Sequence, residues 1–197
     1  GGSQQCHVYA QCVNREDGFC CVCIHGYYGN GKNCIKNDAP FRVNGEITGE
    51  LNGRLLDTIN IQAYVVVADG KSYTALSHVP DHFGFDMQTL SVFGGVIGWL
   101  FAKSTDGSKN GYQLTGGVFN HTSEIIFTDT NEKVTIRQHF MGLDVFDQLK
   151  MTAEIKGSIP KIPHGSKLDI DDYEEQYSIS RPGLILSQSS RTFRTQG

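Results

Sequence analysis

Ten residues near the middle of the chain, Phe93-Gly94-Gly95-Val96-Ile97-Gly98-Trp99-Leu100-Phe101-Ala102, carry no charge and include the only tryptophan. A segment with no face that prefers water must be enclosed by protein. It is too short to cross a bilayer as a helix, which takes about 20 apolar residues. Two enclosed conformations fit the pattern: a fully buried strand, or a helix packed inside a sheet that curls around it. Each glycine costs a helix about 1 kcal/mol against alanine. The glycines also let surrounding side chains approach the backbone closely. The expectation adopted is a buried central helix with Trp99 inside the core.

The flanking segments supply the enclosure. Ile61, Ala63, Val65 and Val67 alternate with polar or exposed positions, as do Leu149, Met151, Ala153 and Ile155. That period of two marks half-buried strands. Asp69-Gly70 is a type I′ hairpin signal, after which Lys71 to Val79 returns. Glu124 to Thr128 and Lys133 to Phe140 flank a turn at Asp129-Thr130-Asn131-Glu132. Further strands are expected near Arg42 to Leu51, Tyr112 to Phe119, Lys167 to Tyr173 and Ser190 to Thr195. Many short strands at this spacing imply a sandwich or a barrel. If Asp69 and Gly70 are the two turn residues, Val66 lies opposite Tyr73 and Tyr64 opposite Ala75. Ile61, Ala63, Val65 and Val67 then face inward, leaving Tyr64, Val66 and Tyr73 outside with Gln62 beside them. Such a tyrosine pair either braces the sheet or anchors a partner.

All six cysteines fall between Cys6 and Cys34. This asymmetry separates a small disulfide-stapled module from a domain that builds its own core, and it requires an oxidising, extracellular compartment. A net charge of −4 gives no electrostatic case for nucleic acid or an anionic membrane. The opening Gly1-Gly2-Ser3-Gln4-Gln5 reads as a cut end and not as a signal peptide.

The cysteines are spaced C-x5-C-x7-C-C-x-C-x10-C, and Gly26-Tyr27-Tyr28-Gly29-Asn30-Gly31 precedes the last. This run resembles the C-terminal half of an EGF-like module, where glycines supply the left-handed turns of a small hairpin. The resemblance implies the bridges Cys6–Cys21 and Cys23–Cys34. The family's first cysteine has no counterpart, which leaves Cys12 unpaired, and Cys20 falls outside the pattern. A zinc site would want two separated C-x2-C knuckles, which are lacking. Asn14 matches the family's hydroxylation pattern, which often accompanies calcium. The acidic ligands that would complete such a site are absent, so an ordinary turn residue is the simpler reading.

From this module through Arg42-Val43-Asn44-Gly45, Tyr64-Val65-Val66, Gly70 to Ala75, Gly94 to Ala102, Lys109-Asn110-Gly111, Thr115-Gly116-Gly117 and Pro160 to Pro163, the chain is similar to the G2 region of the nidogens. That resemblance implies a mainly β protein with two parts. Residues 1–37 would form the EGF-like module, and residues 38–197 an eleven-stranded, GFP-like β-barrel with a helix through its centre. It further implies that the last strands of the barrel are missing and must come from another polypeptide or an unrecorded segment, with Cys20 facing the barrel. The implied function is a non-catalytic, secreted basement-membrane linker that binds perlecan, through an immunoglobulin-like domain group, and collagen IV. The alternative is an adhesion module of a hemicentin-like matrix protein. Arg42, Tyr64 and Tyr73 match the family's perlecan-facing arginine and tyrosines, whereas Asn60 stands where the family has an aspartate and Gln62 where it has a histidine.

No nucleophile–base pair or carboxylate constellation emerges, and no cofactor is expected. His78 and His82 flank Val79-Pro80-Asp81 without a third ligand. Asp169, Asp171, Asp172, Glu174 and Glu175 read as a solvated edge that discourages strand-to-strand association, with calcium as the weaker use. Asn120-His121-Thr122 is an N-glycosylation sequon, meaningful in an extracellular protein.

Overall fold

A computed structural model describes residues 6–16, 18–68, 71–77, 87–101, 108–127, 130–160, 167–171, 175–181 and 184–196. The N-terminal module consists of two small hairpins. Strand β1 (Ala10–Arg15) pairs antiparallel with β2 (Gly18–Cys23), and β3 (Tyr27–Gly29) with β4 (Cys34–Lys36). Asn14 lies on β1, opposite Phe19, and not in a turn. Gly31 adopts φ +85, and a Cβ there would stand 2.1 Å from the Cys21 carbonyl oxygen. Only glycine meets both conditions.

The remaining strands are β5 (Phe41–Leu51), β6 (Arg54–Leu55), β7 (Ile59–Ala68), β8 (Lys71–Ser77), β9 (Val118–Phe127), β10 (Glu132–Leu143), β11 (Leu149–Gly157), β12 (Lys167–Ile170), β13 (Glu175–Arg181) and β14 (Leu184–Gln196). They form one sheet in the order β12-β14-β9-β10-β11-β5-β7-β8, with β13 also on β14 and β6 on β5. The pairs are antiparallel except β11 with β5 and β14 with β9. Burial alternates along β5, β9, β10 and β11, so one face is core and the other surface. The segment from Tyr112 to Phe119, expected as a strand, is instead a short helix followed by the start of β9. The strand expected near Ser190 to Thr195 is the last part of the longer β14.

The apolar segment is helical: α1 runs Met87–Phe101. It touches both β8 and β9, which lie five strands apart in the sheet order. A flat sheet could not reach one helix from both places, so the sheet curls around α1. Among the described residues no ladder joins β8 to β12 or β13. Val96, Ile97, Leu100 and Phe101 are buried in one core with Ile47, Ile125, Ile136 and Ile155 from four different strands. Trp99 departs from expectation: it is only half-buried, lies edge-on to Phe119, and packs on Gly111. Among the described residues, a Cβ on Gly94 or Gly98 would meet nothing within 4 Å.

The helix α2 (Gly111–Thr115) is set by its caps. Asn110 Oδ1 accepts the Gln113 backbone N–H at 2.9 Å, and Gln113 Oε1 accepts the Asn110 N–H at 2.8 Å. Gly116 closes the helix in the left-handed conformation, φ 64. This places Tyr112 at the centre of an aromatic cluster. Its ring centroid is 5.8 Å from Phe101, 6.0 Å from Phe41 and 5.7 Å from Tyr28 of the N-terminal module. Ile35 is buried in the same core, and Asn30 sits where a Cβ on Gly116 would be. The module therefore shares the core of the larger domain as well as being joined to it.

Two further features mark the interior. His121 Nδ1 lies 2.7 Å from Gln138 Oε1, and Gln138 Nε2 donates to Met151 Sδ, all within the buried face of the sheet. The Tyr112 hydroxyl is buried without a hydrogen-bond partner among the described residues. Burial pushes the Tyr28 and Tyr112 phenols far above their usual 10.0, and for Tyr112 the charges of Tyr28 and Asp147 add to this.

Two outcomes are expected. Phe101→Ala should cost about 3–5 kcal/mol, while Tyr112→Phe should leave stability unchanged or raise it by up to about 1 kcal/mol, read by chemical denaturation. Because both phenols keep their protons in the fold above the unfolded value, their contribution is intact below pH 10.0 and lost as pH rises further. Denaturant midpoints should fall in that alkaline window, and fall less in Tyr112→Phe.

Candidate partner-binding face

The outer surface of β5, β7 and β8 carries the residues singled out from sequence. Register places Arg42 opposite Tyr64, Asn44 opposite Gln62 and Glu46 opposite Asn60. On the other side of β7, Tyr64 pairs with Ala75 and Val66 with Tyr73. The Asp69-Gly70 turn itself lies outside the described residues, but Ala68 pairs with Lys71 across it. Ile61, Ala63 and Val65 are buried, while Asn60, Gln62, Tyr64 and Val66 are exposed, as a period of two requires. For Tyr73 the backbone position alone is defined, opposite Val66.

Arg42 holds its guanidinium carbon 5.9 Å from the centre of the Tyr64 ring. At an exposed site such a cation–π contact contributes about 0.5–1 kcal/mol, enough to orient both side chains. Tyr64 remains 40% exposed, so its ring is available beyond that contact. Two members of the face were not singled out in the sequence. Glu46 brings a carboxylate beside Asn60. Asn44 donates through Nδ2 to Gln148 Oε1, which ties this face to the loop before β11. Their signal was the outward phase of β5, which becomes informative only when the register with β7 is known.

Disulfides join Cys6 to Cys21 and Cys23 to Cys34, while Cys12 and Cys20 are free. Cys12 stands opposite Cys21, and Val13 opposite Cys20. Cross-strand partners share a face and adjacent residues do not, so Cys12 and Cys20 point to opposite sides of the hairpin and cannot bridge each other. Asn120 lies on β9, half-exposed, and hydrogen-bonds His139. Asp169 is exposed on β12, with Asp171 just beyond it and Glu175 at the start of β13. Asp172, Glu174, His78 and His82 lie outside the described residues. Among the described residues no group of three or more metal-capable side chains occurs, and no helix is long and apolar enough to cross a membrane.

A curled, mostly antiparallel sheet around an apolar helix, fused to a disulfide-linked hairpin module, defines a mainly β module of the barrel type. Residues 38–197 match the G2F domain, and the chain belongs to that family. The chain is 41% identical to nidogen from Drosophila melanogaster over 94% of its own length and 14% of that relative. It is 38% identical to human nidogen-1 over 96% of its length and 16% of that protein. It therefore spans about a seventh of the length of these relatives. The solved structure of domain G2 of mouse nidogen-1 superposes with a TM-score of 0.72 at 33% identity, over 89% of this chain and 71% of that one. The chain is thus a nidogen-type G2 module, and its setting is that of the nidogens, secreted proteins of the basement-membrane matrix.

Cys12 is exposed and Cys20 half-buried. Alkylation of the native protein should therefore modify Cys12 well before Cys20, and neither bridged pair, as read by peptide mass mapping. Equal labelling of all six cysteines would contradict the bridge assignment.

Proposed function

We propose that this module is a non-catalytic linker of the basement-membrane matrix. In this reading it binds an immunoglobulin-like domain of perlecan, and collagen IV, through the outer face of β5, β7 and β8. The single observation that carries the reading is the Arg42–Tyr64 pair, a pre-oriented cation and aromatic ring on an outward row of the sheet. Arginine and tyrosine are the residue types that most often anchor protein interfaces, because each combines a broad apolar surface with a directional polar tip. Asn60, Gln62 and Tyr73 extend the face on either side of Tyr64. Where the resemblance leads one to expect an aspartate, Asn60 is neutral, but Glu46 in register beside it supplies a negative charge to the same patch. In this reading residues 1–37 form the EGF-like module and residues 38–197 the partner-binding barrel. The containment of both disulfides between Cys6 and Cys34 supports that division.

Surface plasmon resonance against a perlecan immunoglobulin-like fragment tests the assignment. Tyr64→Ala and Arg42→Ala should each weaken binding by about 1–3 kcal/mol, with thermal stability within about 1 kcal/mol of the parent. Lys133→Ala, on β10, should bind as the parent does. Unchanged affinity in both face variants would overturn the reading.

A further inference from the structure

The side wall of the sheet formed by β14, β9, β10, β11 and β5 bears a groove of about 490 Å³ on its outer surface, with the exposed Leu186 beside Asn120 at its β14 side. Outward side chains on a convex wall normally diverge, so a hollow there needs a cause. Thr48, Thr122 and Thr152 line it together with Arg137, His139 and Glu154. Register aligns these residues into rows. Asn120 stands opposite His139, His139 opposite Thr152, and Thr152 beside Glu46, which in turn faces Asn60. A second row runs from Thr122 to Arg137, Glu154 and Thr48.

The sequon Asn120-His121-Thr122 lies at one end of this groove. His121 points into the core, so the period of the strand turns Asn120 and Thr122 outward together. The His139 ring donates from Nδ1 to Asn120 Oδ1. That contact leaves Nδ2, the atom that carries sugar in an N-linked glycan, outside the hydrogen bond. The groove offers donors from Arg137, acceptors from Glu154, hydroxyls that do both from Thr122 and Thr152, and a flat ring from His139. This mixture of directional polar groups around one planar surface suits a carbohydrate, and the volume lies in the range of small-ligand sites.

We propose that Asn120 carries an N-linked glycan whose proximal sugars are seated in this groove, with His139 as their platform. The attachment is made by the cell's oligosaccharyl transferase from a polyprenyl-diphosphate-linked oligosaccharide. Asn120 Nδ2 forms a bond to the anomeric carbon and loses one proton. The bond from that carbon to the diphosphate breaks, and the polyprenyl diphosphate leaves. The product amide keeps one N–H and keeps Oδ1 free to accept from His139, so the contact survives the modification. A glycan lying along the row from Asn120 towards Glu46 would extend to the border of the Arg42–Tyr64 face. Four strand spacings, about 19 Å, separate β9 from β7.

The test is secretion of the 197-residue chain from eukaryotic cells. Glycopeptide mapping should find sugar on Asn120, absent in Thr122→Ala and retained in Thr122→Ser. On the native protein, release by an N-glycosidase should be several-fold faster in His139→Ala than in the parent, and equal for the two after denaturation. Nuclear Overhauser contacts between the first sugar and the His139 ring should be present. An unmodified Asn120 in secreted protein would overturn the proposal. So would a glycan released at the same rate from parent and His139→Ala with no contact to the ring.

Discussion

A helix of 15 residues with no charge and several glycines could not persist alone in water, because at that length even a good helical sequence is marginal. Burial of α1 is therefore the constraint on this fold. Each of Val96, Ile97, Leu100 and Phe101 is removed almost completely from solvent. At about 25 cal/mol per Å² of apolar surface, each contributes on the order of 2 kcal/mol. The sheet must curl to provide that enclosure, and its curl brings β8 and β9 to the same helix. The parallel pairings of β11 with β5 and β14 with β9 are part of the same geometry, since they connect strands distant in sequence into one wall.

The cluster of Tyr112, Phe101, Phe41 and Tyr28 links this core to the N-terminal module. A module of this size buries little surface by itself and depends on its disulfides for stability. Here it also gains from the larger domain, because Tyr28 and Ile35 are packed into a common core. Tyr112 reaches that position only because α2 replaces extended chain at residues 111–115. The capping box of Asn110 and Gln113 and the left-handed Gly116 give this short helix its ends. Those signals were present in Asn110-Gly111-Tyr112-Gln113, although a strand was expected from Tyr112 to Phe119. Local capping prevailed because it satisfies backbone groups that a buried strand would have had to pair elsewhere.

Two chemistries mark the described outer surface of β5 to β11. The face of β5, β7 and β8 presents an arginine over a tyrosine ring, with a carboxylate and carboxamides around them. The wall of β9 to β11 bears a groove lined by threonines, His139 and the charged Arg137 and Glu154. Both use the outward phase of strands whose inward phase is core, and β5 contributes to both. Surface chemistry and core packing are therefore not independent. A shift of β7 by one residue against β5 would turn Tyr64 inward and expose Ala63.

Much of this organisation follows from the sequence itself. Alternation in Ile61 to Val67 and Leu149 to Ile155 determined which residues face inward, because strand periodicity is a local property of the backbone. The apolar run determined that something must surround it, and the cysteine spacing marked a stapled module at the N-terminus. The outward phase of Tyr64 and Gln62 was legible for the same reason. What only the tertiary structure decided is which strands lie side by side beyond the β7–β8 and β9–β10 hairpins. Long-range register put Glu46 beside Asn60, His139 beside Asn120, and Tyr28 against Tyr112. It also left Trp99 at the edge of the core, covering Gly111. Those neighbours lie from about a dozen to more than eighty residues apart along the chain, and their contacts depend on how the sheet wraps around α1.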